Sequence, residues 1–220
     1  MMLLLCGALV VTGAVEWGVT GHPWAQEGYV QVPVEEQLEL VSALGAGWYR
    51  SDWPQGAVEA NPEPYETLVN EAAKRGIHLL PILFPTTGAT SDASPEDIQK
   101  ASASFGRAMA ERFRGRVTHW ELANERDCFA LLRKGDTDRH GKEWPWGDPG
   151  GANPDEYEES RYQKVKAEIL GLREGIHAAD PQAQTIVNSG GWLHYGFYER
   201  LIREDNVAFD IIGWHWYSEM

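Results

Sequence analysis

His119-Trp120-Glu121-Leu122-Ala123-Asn124-Glu125 reads as a buried strand that runs out into a polar pair. The strand spans residues 117–123. Residues on a strand alternate faces, so Glu121 and Glu125 should point the same way, with Glu121 one layer deeper. Upstream, Ser94-Pro95-Glu96-Asp97 is a helix start: an N-cap, proline at the first position and acids in the first turn. That helix should run to about Phe113. Before it, residues 77–84 form a nearly continuous apolar run, as expected for a strand covered on both faces. Downstream, a long polar loop over 126–153 leads into a long helix over 154–179, which stops at Asp180-Pro181.

The same alternation extends to both ends. Residues 16–20 give a short first strand, followed by a loop holding His22, Pro23 and Trp24. Apolar residues at helical spacing place a helix over 34–44, ended by Gly45-Ala46-Gly47. Trp48-Tyr49-Arg50 makes the second strand, and a helix over 64–75 stops at Gly76. Residues 185–188 are strand five, 195–204 a helix and 209–214 strand six. Strand followed by helix, five times over and then a sixth strand, implies a parallel sheet covered by helices. No GxGxxG or GxxxxGK[ST] opens a helix, which counts against the nucleotide-binding open sheets. The expected fold is therefore α/β, a (β/α)8 TIM barrel truncated after about six strands, with one domain over 15–220.

A barrel draws its catalytic groups from the C-terminal ends of several strands. Arg50-Ser51-Asp52-Trp53 closes strand two, Asn124-Glu125 strand four and His215-Trp216-Tyr217 strand six. Asn188 and Trp192 follow strand five, and His22 and Trp24 follow strand one. Held protonated by burial and by neighbouring negative charge, Glu125 could give a proton to a departing alcohol, as glycoside cleavage requires. Asn124 beside it can hydrogen-bond a sugar hydroxyl. Glu121 reads as an interior ion-pair partner, because buried charges persist only when paired. Arg50 fits either that pair or support of the site. His119 and His177 read as structural, whereas His22 and His194 are candidates at the rim.

The Asn-Glu pair ending strand four, the arginine closing strand two and the His-x-Tyr closing strand six resemble clan A glycoside hydrolases. The sequence is most similar to family 39 and its relatives, with family 5 next, over roughly residues 17–217. The long helix ending Gly175-Ile176-His177-Ala178-Ala179-Asp180-Pro181 is similar to those families too. The resemblance implies that Glu125 is the acid/base of a retaining cleavage of β-linked carbohydrate and that Asn124 contacts a substrate hydroxyl. It implies that Arg50 orients a catalytic carboxylate and holds it ionised. His215 and Tyr217 would shape the sugar subsite, with Tyr217 near the nucleophile. His22, Trp24 and Trp192 are further substrate-binding candidates. Arg126-Asp127 departs from the proline usual after Asn-Glu. The nucleophile is a glutamate expected on strand seven; Glu219, just past strand six, is a weak substitute.

The formal charge of −14 argues against nucleic acid, since phosphate binding needs clustered Lys and Arg. A neutral oligo- or polysaccharide fits better, and ten tryptophans suit either sugar faces or the core. The two cysteines, Cys6 and Cys128, give neither a disulfide framework nor a zinc cluster, and no cofactor or metal is expected. Residues 1–14 resemble the apolar core of a signal segment, too short to span a bilayer, which favours a secreted or periplasmic location. Strands one and six would expose unpaired edges, so the isolated chain should self-associate. Two other readings remain: a carbohydrate-binding barrel without chemistry, and a metal-dependent hydrolase. No His-x-His pair ends strand one to support the latter.

Overall fold

A computed structural model describes residues 15–25, 27–147 and 149–217. The apolar segment 1–14, with the export reading attached to it, and Glu219 lie outside the described residues. Six parallel strands lie side by side in chain order: β1 Gly18–Gly21, β2 Trp48–Pro54, β3 His78–Phe84, β4 His119–Leu122, β5 Gln184–Ser189 and β6 Ile211–Trp214. Helices α1 (Glu27–Val30) and α2 (Val34–Ala43) connect β1 to β2; α3 (Gln55–Ala60) and α4 (Glu63–Lys74) connect β2 to β3. The single helix α5 (Pro95–Arg112) leads into β4. After β4 come α6 (Arg126–Ala130) and α7 (Glu159–Ala179), and after β5 comes α8 (Tyr195–Glu199), continued by a π-helical turn at Arg200–Glu204. A doubly wound sheet reverses its strand order at a switch point. This one never does. Its strand ends also converge on one cavity, so the sheet curls into a half-barrel, the arrangement of the first six units of a (β/α)8 barrel.

Local chemistry explains most boundaries. Ser94 caps α5 by accepting from the Asp97 backbone N–H, and Pro95 occupies the first turn, where its missing N–H costs nothing. Pro81 sits inside β3, yet the ladder to β4 begins one residue later, at Ile82. Among the described residues α3 was not expected, and β4 ends earlier than its apolar pattern suggests. The long helix also starts later, because the chain makes a short 3₁₀ turn at Pro154–Glu156, capped by Asn153, before Glu158 opens α7.

The core lies between sheet and helices. Trp53 and Trp120 point outward from β2 and β4 and pack edge-to-face at 6.0 Å, with Phe113 and Tyr65 around Trp53. Both indoles are fully buried, each contributing roughly 3 kcal/mol or more to stability. Helices α5 and α7 approach through glycine. A Cβ on Gly175 would stand 2.0 Å from the Ala103 carbonyl oxygen, and one on Gly171 2.2 Å from that of Gln99. No helix of the described residues is long and apolar enough to cross a membrane.

Candidate active site at the C-terminal rim

Arg50 leaves β2 on the inner face and meets Glu121 of β4 through two bonds, Nε to Oε2 at 2.6 Å and Nη2 to Oε1 at 2.8 Å. Glu121 is buried, so the ion pair foreseen for it is present. Nη2 also donates to Asn124 Oδ1 at 2.6 Å, which fixes the Asn124 amide with its NH2 turned away from Arg50. Arg50 thus serves both the buried pair and the rim.

Glu125 reaches the site by a route different from simple strand alternation. The strand stops at Leu122, and Ala123 and Glu125 both take left-handed backbone conformations, φ 64° and 50°. Such conformations are uncommon outside glycine and persist only when the surroundings hold them. Here Asn188 of β5 does the holding. Its amide donates to Glu121 Oε1 at 2.5 Å and to the Ala123 carbonyl at 2.7 Å, while its Oδ1 accepts from the Glu125 backbone N–H at 2.6 Å. The turn is therefore tied to the next strand by one side chain.

The Glu125 carboxyl accepts two bonds on the same oxygen, from His215 Nδ1 at 2.7 Å and Tyr217 Oη at 2.6 Å. Burial would raise its pKa, but those two bonds and the charges of His215 and Arg50 outweigh it and hold the carboxyl below the usual glutamate range. This overturns the expectation of a carboxylic acid kept protonated by its surroundings. His215 shifts upward, chiefly through its contact with Glu121, 3.6 Å from Nε2, against the opposing effect of burial and with help from Glu125.

These groups border a cavity of about 590 Å3 to which the ends of β1, β2, β3, β4 and β6 contribute. Arg50, Asn124, His215, Tyr217 and His22 line it. Glu125 is not in the lining; its carboxyl is bonded by His215 and Tyr217, which are. His22 donates from Nδ1 to Asp52 Oδ2 at 2.8 Å on the wall opposite β6. Trp24 is not brought to the cavity: it packs on Tyr65, 4.3 Å between ring centroids. Trp192 is not in the lining either, but it packs on Trp216, which is, with centroids 5.8 Å apart.

The Arg126-Asp127 departure acquires a structural reason. Arg126 pairs with buried Glu168 at 3.0 Å, and buried Asp127 accepts from the Gly190 N–H at 3.1 Å and bonds His194 Nδ1. Both brace the turn that carries Glu125 against α7 and the β5 loop. His194 is thus a brace, and the contributions of Asn188, Gly190 and Asp52 were missed. Asn188 and Asp52 were visible at strand ends, but nothing in the chain order reveals their partners.

No protein-family model and no curated protein matches the chain. Solved structures do. A family 1 β-glucosidase from Thermotoga maritima matches with TM-score 0.53 at 14% identity, over 79% of this chain and 47% of that one. The β-glucosidase from the same organism in complex with methoxycarbonyl-substituted glucoimidazole matches with TM-score 0.55 at 13% identity, over 80% and 49%. The AHE enzyme from Alicyclobacillus herbarius matches with TM-score 0.50 at 16% identity, over 73% and 37%. The chain spans about half or less of the length of these proteins. At such identity the likeness establishes the fold alone. The expected likeness to family 39, with family 5 next, is not what the comparison returns: the β-glucosidases matched are family 1 enzymes of clan A. An Asn-Glu pair, an arginine and a His-x-Tyr at strand ends describe a barrel rim and are too short to single out a family.

Proposed function

We propose that this chain carries the acid/base half of a retaining glycosidase site acting on O-glycosidic bonds of β-linked carbohydrate. The observation that carries the reading is one carboxylate, Glu125, just past the C-terminal end of a barrel strand, bonded by His215 and Tyr217, which line one cavity together with Asn124 and Arg50. Glu125 acts as the acid/base and Asn124 holds a sugar hydroxyl. Retention needs a second carboxylate about 5–5.5 Å from the first. Glu121 is occupied by Arg50, so in this reading the nucleophile comes from a seventh strand. A nucleophile carboxylate placed near Glu125 would also raise its pKa, turning a group now held ionised into an acid able to protonate the leaving oxygen.

The test is Glu125→Gln in the full-length protein, assayed on aryl β-glycosides. Hydrolysis of a phenyl glycoside should fall by about 10²–10⁴-fold, with much smaller loss on a dinitrophenyl glycoside, whose leaving group needs no proton. Wild-type rates on the phenyl glycoside would remove Glu125 from the mechanism. A second reading, carbohydrate binding without turnover, draws on the lowered pKa of Glu125 and on its absence from the cavity lining. Saturable oligosaccharide binding by a full-length protein that turns nothing over would favour it.

A further inference from the structure

We propose that Asp52 and His22 form a hydroxyl-reading wall that selects an uncharged sugar ring and rejects a uronic acid. This rests on the carbohydrate reading of the cavity and adds a specificity determinant to it. Asp52 follows Arg50 by two positions on β2, so both side chains leave the same face of the strand, with Asp52 nearer the rim. His22 follows β1 directly, and the register Gly21↔Ser51 brings it beside Asp52. Both side chains are about one-third exposed, both line the cavity, and they meet at 2.8 Å.

A carboxylate only accepts, so the proton between the two lies on His22 Nδ1. In the tautomer that carries its proton on Nδ1, Nε2 is the acceptor. Asp52 keeps Oδ1 without a side-chain partner among the described residues. The wall therefore offers two acceptors, which two neighbouring hydroxyl groups of one ring can satisfy as donors. Asn124 supplies the complement: its oxygen is taken by Arg50, which leaves its NH2 as a donor to a ring hydroxyl oxygen.

Charge decides what this wall excludes. Arg50 could have welcomed an anionic substrate, but its guanidinium is bound on two sides by buried Glu121 and by Asn124. Glu125 and Asp52 add negative charge around the cavity. A second carboxylate on the sugar would face Asp52, and Arg50, the arginine in the cavity lining, is already neutralised by Glu121. Hydroxyl groups bonded to an ionised acceptor gain more than neutral pairs do.

The test measures binding, by calorimetry, of phenyl β-glycosides of the gluco, galacto and manno series and of their C6 uronates. The full-length wild-type protein should bind at least one neutral glycoside about tenfold or more tighter than its uronate. Asp52→Ala should weaken the neutral ligand by about tenfold or more. Asp52→Asn, which keeps the shape and one acceptor oxygen, should narrow the neutral-to-uronate ratio to within about threefold by improving uronate binding. Unchanged circular dichroism of the variants separates these effects from misfolding. Equal wild-type affinity for neutral and acidic ligands, or a ratio unmoved by Asp52→Asn, overturns this inference and leaves the glycosidase reading standing. Failure of every glycoside to bind overturns both.

Discussion

Replacing Arg50 with methionine should strip Glu121 of its main partner while keeping most of the side-chain volume. Glu121 is 2% exposed and receives two of its bonds from Arg50, at 2.6 and 2.8 Å. Removing one partner of a buried pair costs about 3–5 kcal/mol, because the remaining charge is left without compensation. Asn188 still donates to Glu121 at 2.5 Å and His215 lies 3.6 Å away, so the lower end, about 3 kcal/mol, is expected. For a chain of this size that lowers the melting temperature by roughly 6–12 °C. The loss should depend on pH. Arg50 opposes protonation of His215, whose pKa is already raised by Glu121. A histidine raised in the folded state contributes stability that is full below its unfolded pKa and lost as pH rises through the folded value. Without Arg50 that rise grows, so the variant should recover stability below about pH 6.5 and show its full deficit at pH 8. Thermal melts by circular dichroism at pH 5.5 and 8 read both effects. A change of under about 2 °C at pH 8, or a loss identical at both pH values, would refute the reasoning.

Three further outcomes follow from named contacts. Tyr217→Phe removes a bond that helps hold Glu125 ionised, so the Glu125 carboxyl should titrate at higher pH in a carbon-detected NMR experiment; a midpoint unchanged or lowered contradicts the assignment. Because a depressed carboxyl stabilises the fold above its unfolded pKa and loses that contribution as pH falls through the folded value, this variant should also gain less stability between acid and neutral pH. Gly175→Ala places a methyl 2.0 Å from the Ala103 carbonyl oxygen and 2.7 Å from the Arg107 nitrogen; about 1–3 kcal/mol or more of destabilisation should outweigh alanine's helix preference, and an equally stable variant in urea unfolding would show that α5 and α7 can separate freely. β1 and β6 each lack a strand neighbour on one side among the described residues, so the 220-residue chain should associate in light scattering; a monodisperse monomer with a cooperative melt would count against it.

The order of strands and helices was legible because each element announces itself locally. The apolar run of β3, the Ser94-Pro95 start of α5 and the Gly76 stop after α4 each act through their neighbours in sequence. The buried partnership of Glu121 was legible too, since a strand-interior carboxylate demands a cation. What escaped depends on contacts distant in the chain. Nothing near Ala123 or Glu125 marks a left-handed turn, for neither is glycine; Asn188, 63 residues beyond Glu125, imposes it. Alternation was therefore carried past Leu122, where the strand has already ended. Both glutamates still reach His215, but through a turn and not through pleating. The expected acid state failed for a similar reason: Tyr217 and His215 lie 92 and 90 residues away, and their bonds outweigh burial.

The glycine contact between α5 and α7 has a mechanical meaning for the rim. Helix α5 delivers the chain into β4 and α7 delivers it into β5, and Gly171 and Gly175 of α7 sit directly against the Gln99 and Ala103 carbonyls of α5 with no side chain of their own to act as a bearing. Two helices locked backbone to backbone do not slide, so β4 and β5 hold their relative height, and with it the Glu121–Asn188–Glu125 linkage stays set before any ligand arrives. Tyr217, half exposed after β6, bonds this frame through its hydroxyl on Glu125. The rim is thus a frame whose height is set by the helices behind it.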